Sequence, residues 1–138
     1  MIKGITFGAF DLVHAGHVSL FKECSENCDK LIVGLHVDPN NERKDKNVPI
    51  QSIFERYVQL KSNRYIDEII PYEHEDEIIR ILIYTNPQIR FLGDDYKYKD
   101  FTGKEYCMNK EIRIHYVSRD HGYSTSELRK RIETTYYR

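Results

Sequence analysis

The stretch Phe7-Gly8-Ala9-Phe10-Asp11-Leu12-Val13-His14-Ala15-Gly16-His17 narrows the possible folds more than any other part of this chain. It follows the apolar run Ile2 to Thr6 and precedes Val18-Ser19-Leu20-Phe21, where apolar residues return at helical spacing. The segment between them reads as a strand-to-helix turn. Its glycines let the backbone approach a ligand closely. Gly16 falls where the helix opens, and the unpaired N–H groups of a first helical turn, at the positive end of the dipole, form an anion site. His14 and His17 are three residues apart, so they share a helix face and can donate to the same phosphate.

A lone histidine at a helix start is ordinarily a satisfied polar group. Two in register with a glycine, directly after a strand, fit a convergent site better. A zinc pair is a third reading, but no C-x-x-C or His-Glu-x-x-His spacing supplies further ligands, so no protein-bound metal is expected.

The chain of 138 residues is long enough for one domain, residues 1–138, with a core that needs neither disulfide nor metal. Its 21 basic and 22 acidic side chains leave a formal net charge of −1, and its 11 tyrosines are scattered. No basic field with interleaved aromatics points to nucleic acid. Cys24, Cys28 and Cys107 cannot all pair with one another, which favours a reduced, intracellular setting. Cys24 and Cys28 are expected to pack on the first helix. The amino terminus runs straight into a strand and no apolar run approaches the ~20 residues of a membrane span, so a soluble, cytoplasmic protein is expected.

Apolar, β-branched runs recur between helical patterns: Leu31 to Leu35, Glu68 to Ile70, Arg90 to Leu92 and Ile112 to Val117. With the first strand they predict an α/β fold: a single Rossmann-like, doubly wound domain whose five-stranded parallel sheet carries helices on both faces. Ser52-Ile53-Phe54-Glu55 is a capping box that opens one helix. Another presents Ile78, Ile79, Leu82 and Ile83 on one stripe and stops near Thr85-Asn86-Pro87. The last opens at Ser124-Thr125-Ser126-Glu127, and Arg129, Lys130 and Arg131 near its carboxyl end are expected to complement its dipole. Ligands of such sheets bind beyond the carboxyl ends of the strands. Gly8, Gly93 and Arg119 all fall there.

On their own, several candidate segments have plain readings. The polar stretch Pro39 to Pro49 is a solvated loop, Arg56 a surface ion-pair partner, and the acids of Gly93-Asp94-Asp95-Tyr96 simply hydrated. Arg119 could offer a guanidinium fork to phosphate, with a second anion site where the last helix opens at Ser124 and Thr125.

Gly8-Ala9-Phe10-Asp11-Leu12-Val13-His14-Ala15-Gly16-His17 resembles the G-x-F-D-x-x-H-x-G-H signature of the cytidylyltransferases, within the H-x-G-H nucleotidyltransferase superfamily. The resemblance runs from Lys3 to about Ile132 and is nearest to the glycerol 3-phosphate branch. Arg64-Tyr65-Ile66-Asp67-Glu68 resembles R-Y-V-D-E, a packing element, and Gly93-Asp94-Asp95-Tyr96 resembles G-D-D-W. Arg119 to Ser126 resembles R-T-E-G-I-S-T-T, with Asp120-His121, Tyr123 and Ser126 departing from it.

The resemblance implies transfer of CMP from CTP to a small alcohol phosphate, glycerol 3-phosphate first, giving CDP-glycerol and pyrophosphate. It implies His14, His17, Lys44, Lys46 and Arg119 as catalytic residues. Gly8, Ala9, Phe10, Asp11, Gly16, Gly93, Asp94, Tyr123, Ser124 and Thr125 would bind nucleotide, and Asp11, His36, Lys46 and Arg56 the acceptor. Mg²⁺ would accompany the triphosphate, and a homodimer is expected. An ATP-dependent adenylyltransferase acting on a sugar phosphate or similar acceptor is the alternative, and a non-catalytic nucleotide-binding module a third. Choline and ethanolamine phosphate remain open as acceptors.

Overall fold

The computed structural model describes residues 1–119 and 121–136. Among them, strands β1 (Lys3–Gly8), β2 (Lys30–His36), β3 (Glu68–Tyr72), β4 (Ile89–Gly93) and β5 (Arg113–Val117) form one parallel sheet in the order β3-β2-β1-β4-β5. Helices α1 (Ala15–Glu26), α2 (Ile53–Lys61), α3 (Glu77–Thr85), α4 (Lys104–Asn109) and α5 (Thr125–Tyr136) complete an α/β, Rossmann-like fold. The chain winds outward from β1 in both directions, so the carboxyl ends of β1 and β4 flank the topological switch point.

Alternation along the strands divides the core in two. On one face Leu31, Val33, Leu35 and Phe91 pack with Phe21 and Cys24 of α1 and Leu60 of α2. On the other, Ile5, Ile32 and Tyr72 meet Ile78, Ile81 and Leu82 of α3 and Cys107 of α4. Both faces are thus covered, which a parallel sheet of this kind requires.

Local chemistry sets the helix ends. Ser52 Oγ accepts the Glu55 N–H at 3.1 Å while Glu55 Oε1 accepts the Ser52 N–H at 3.0 Å, closing the capping box of α2. Asn86 ends α3 in the left-handed region with φ 47°, where its short polar side chain is tolerated. The buried stripe of α3 is Ile78, Ile81, Leu82 and Thr85; Ile79 and Ile83, expected inside, are exposed. A helical stripe mixes i+3 and i+4 steps, and here the i+3 step to Ile81 leads.

Cys24 is buried in α1, whereas Cys28 lies past its end, its thiol donating to Cys24 O at 3.2 Å. α4, short and bracketed by Gly103 at φ 86°, carries no apolar periodicity long enough to announce it. Among the described residues no helix is long and apolar enough to cross a membrane.

Candidate active site

The β1–α1 turn is held in a costly shape. Phe10 and Leu12 take φ of 48° and 50°, a left-handed backbone that costs about 1–2 kcal/mol per non-glycine residue. Tertiary contacts enforce it: the Phe10 ring packs 5.1 Å from Phe21, and Gln51 Oε1 accepts the Leu12 N–H at 2.8 Å.

The two histidines cap their own helix. His14 Nδ1 accepts the Gly16 N–H at 3.0 Å, and His17 Nδ1 accepts the His14 N–H at 3.2 Å. An imidazole nitrogen that accepts carries no proton, so in both neutral rings the proton sits on Nε2. The rings stack with centroids 3.9 Å apart, and His14 Nε2 meets Thr125 Oγ1 at 3.3 Å.

A Cβ on Gly16 would lie 2.8 Å from His14 Cε1 and 3.0 Å from Tyr123 Cβ, so only glycine allows this closeness. Burial, reinforced by His14 and Arg119 and opposed by Asp11, pushes the His17 pKa down to about 3. Burial, His121 and Arg119 lower that of His14. Both rings are therefore neutral donors near pH 7.

A second helix start faces the first. α5 opens at Thr125, whose hydroxyl also reaches Asp11 O at 3.4 Å, while Ser124 Oγ accepts the Glu127 N–H at 3.0 Å. Arg119 stands on the segment after β5, its Nε 3.5 Å from Asp95 Oδ1. A Cβ on Gly93 would crowd that Nε and the Asp95 carboxylate at 2.5 and 2.6 Å.

These parts line a cleft of about 1300 Å³ over the switch point. Of the expected residues, it is lined by Gly8, Ala9, Phe10, Asp11, His14, Gly16, His17, His36, Lys46, Gly93, Arg119, Tyr123, Ser124 and Thr125. Lys46 Nζ stands 3.5 Å from Tyr96 Oη.

Three expected residues are placed elsewhere or otherwise occupied. Lys44 and Asp94 are exposed and stand outside the lining. Arg56, expected at the acceptor, is 2% exposed and donates to the carbonyls of Gln51, Ala9, His36 and Val37. It is neither a substrate ligand nor a surface ion pair; it ties the ends of β1 and β2 to α2.

Asp11 lines the cleft, but its carboxylate accepts the N–H groups of Ile50 at 2.8 Å and Gln51 at 2.9 Å, and an Arg129 donor at 2.8 Å. It thereby fastens the polar loop to the turn. Arg129 is one lining residue that sequence reasoning missed. It sits in the second turn of α5, not near its carboxyl end, and its side chain enters the cleft wall. Arg129 lies four residues after Thr125, a helical step that puts it on the same face. Arg64 and Asp67, expected in packing, lie outside the cleft lining, Asp67 accepting the Leu31 N–H at 2.8 Å.

Among the described residues no group of three or more His, Cys, Asp or Glu side chains could cage a metal ion. The carboxylates of Asp11, Glu42, Glu75, Asp100 and Glu105 line the cleft and Asp95 pairs with Arg119 beside it, but they form no such group.

The sequence matches the family model described as cytidylyltransferase-like over residues 5–138. It is 32% identical over 132 residues to glycerol-3-phosphate cytidylyltransferase of Bacillus subtilis, covering 96% of this chain and 98% of that one. It is 31% identical over 140 residues to FAD synthase of Thermococcus sibiricus, covering 98% and 95%. A lipopolysaccharide core biosynthesis protein from Thermoplasma volcanium superposes with a TM-score of 0.69 at 26% identity, over 86% of this chain and 95% of that one. With two histidine-capped donors, opposed helix starts and arginines gathered over the switch point of this sheet, the chain belongs to the cytidylyltransferase-like family of nucleotidyltransferases.

Proposed function

We propose that this enzyme transfers CMP from CTP to a small alcohol phosphate, glycerol 3-phosphate being the first acceptor to test. One observation carries the chemistry: His14 and His17 cap α1 through Nδ1, which keeps both Nε2 atoms protonated, that of His14 beside the start of α5. The cytidylyltransferase of Bacillus subtilis, matched along nearly its whole length, supports CTP and glycerol 3-phosphate.

In the reaction an oxygen of the acceptor phosphate attacks the α-phosphorus of CTP. A new P–O bond forms, the bond from that phosphorus to the bridging oxygen of the β-phosphate breaks, and pyrophosphate leaves. The acceptor is already anionic, so no base is needed. The difficulty is charge, and preorganised donors aimed at the reacting phosphate are the remedy. His14 and His17 donate through Nε2, while Lys46, Arg119 and Arg129 supply positive charge along the same cleft. Mg²⁺ belongs to this reading as a companion of the triphosphate, not as a resident of the protein. The reading also includes a homodimer, the commonest assembly of small enzymes. It includes a cytoplasmic location too, in keeping with three free thiols.

A second reading, adenylyl transfer from ATP, is favoured by the 31% identity to a protein named FAD synthase. Pyrophosphate release separates the two when CTP and ATP are crossed against glycerol 3-phosphate, ethanolamine phosphate, choline phosphate and sugar phosphates. Signal confined to CTP upholds the proposal, and signal confined to ATP replaces it with the second reading. Nucleotide binding without release in any combination would leave a non-catalytic module.

A further inference from the structure

His121 has no part in the chemistry above, although it lines the same cleft, half-buried, between Arg119 and the start of α5. Its Nδ1 accepts the Tyr123 N–H at 2.9 Å. His14 and His17 are held in the same way: in a neutral ring an accepting Nδ1 leaves the proton on Nε2. His121 is therefore a third imidazole of the cleft with this tautomer. Its one lone pair is already engaged, so it can donate but has nothing free to act as a base.

Two contacts fix where the ring stands. It stacks on Tyr123 with centroids 5.2 Å apart and planes 19° apart, and Gly122 between them takes φ 76°, which lets the chain turn so that the rings overlap. Tyr123 in turn abuts the start of α1, its Cβ 3.0 Å from where a Cβ on Gly16 would lie. His121 is close enough to His14 for its charge to lower the His14 pKa, as that of Arg119 also does. Groups that disfavour one another's charge in this way are stabilised together by an anion placed among them.

Closing the loop onto the Tyr123 amide occupies Nδ1 alone, and a short Asn side chain can do as much. Among the described residues no hydrogen bond or ion pair engages Nε2 of His121.

We propose that His121 donates its Nε2–H to the phosphates of the bound nucleotide, a third imidazole donor beside His14 and Arg119. The inference rests on the nucleotidyl-transfer reading for its effect on turnover, but not for its effect on anion binding.

His121→Asn and His121→Gln separate the two tasks of the ring. Asn keeps an oxygen for the Tyr123 amide but has no donor where Nε2 stood. Gln carries an N–H out to about the reach of Nε2. Titration calorimetry reads the binding of CTP and of inorganic pyrophosphate, which has no base to stack on the two rings. His121→Asn should weaken both by about tenfold or more, the scale of one hydrogen bond to a charged group, and His121→Gln should recover part of that loss. The kcat/KM for CTP should fall in the same order.

Pyrophosphate binding by His121→Asn equal to that of the wild type would overturn the assignment. So would a wild type that binds no pyrophosphate. Hydrogen exchange at the Tyr123 amide tells a lost donor from a loosened loop. Weaker binding with that amide as protected as in the wild type upholds the donor, and weaker binding that comes only with faster exchange gives the effect to the loop and removes it. If no nucleotide supports pyrophosphate release with any acceptor, the reaction reading falls separately, and the pyrophosphate titrations still decide the role of His121.

Discussion

His14 and His17 hold one tautomer through an interaction that is ordinarily structural. Each Nδ1 satisfies a backbone N–H at a helix start, and each Nε2 keeps its proton. Replacing either with alanine should lower turnover by about two orders of magnitude, the scale of losing one preorganised donor. Steady-state pyrophosphate release reads that loss, and near-normal rates in both variants would contradict the assigned role. Gly16→Ala should mimic those variants, because its methyl would press on the His14 ring.

Acid stability offers an independent check on His17. Its pKa falls from 6.5 in an ordinary setting to about 3 here, so across that window the unfolded chain binds the proton and the folded one does not. Stability is therefore complete above pH 6.5 and declines as the pH falls toward 3. Urea melts at several pH values should show that decline, shallower in His17→Gln. At this scale the sequence disclosed the histidines and glycines by their spacing. It could not disclose Arg56 or Arg129, because a charged residue on a helix has the same spacing whether it meets solvent, a carbonyl or a carboxylate.

Elements enter the site through their ends. The carboxyl ends of β1 and β2 are tied to α2 by Arg56, whose guanidinium serves four carbonyls. Arg56→Met should destabilise the fold by on the order of 3 kcal/mol, since the carbonyls lose their donors in a buried place. Chemical denaturation would read this, and a change below about 1 kcal/mol would make Arg56 dispensable.

Asp11 performs the matching task for the polar loop, which it pins through the Ile50 and Gln51 amides and through Arg129. In Asp11→Ala those two amides should exchange their hydrogens faster while core amides do not. The loop is mostly exposed, as its polar side chains predict. What fastens its carboxyl end is the pair of main-chain groups just after it, which meet a residue some 40 positions earlier, and no local pattern records such a contact. α3 makes the same point in miniature: periodicity found the helix, but packing against β1 to β3 chose Ile81 over Ile79 and Ile83 for its buried face.

For the whole molecule, the switch point between β1 and β4 gathers groups from every part of the chain, from Gly8 to Arg129, around one cleft. A ligand that binds only the assembled cleft stabilises the fold, by about 2.7 kcal/mol at a hundred times its Kd. CTP with Mg²⁺ should therefore raise the melting temperature by several degrees and more than ATP does; the reverse order would favour adenylyl transfer.

The sequence by itself determined the alternation of strands and helices, the capping box of α2 and the histidine-glycine turn, because these depend on residues within a turn or two of one another. The tertiary structure alone decided which charges face the cleft. Asp11 and Arg56 became fasteners, Lys44 and Asp94 stayed in solvent, and Arg129 and Arg90 entered the walls. The position of a charge depends on what the rest of the chain brings against it, and those neighbours lie as far off as the 118 residues between Asp11 and Arg129.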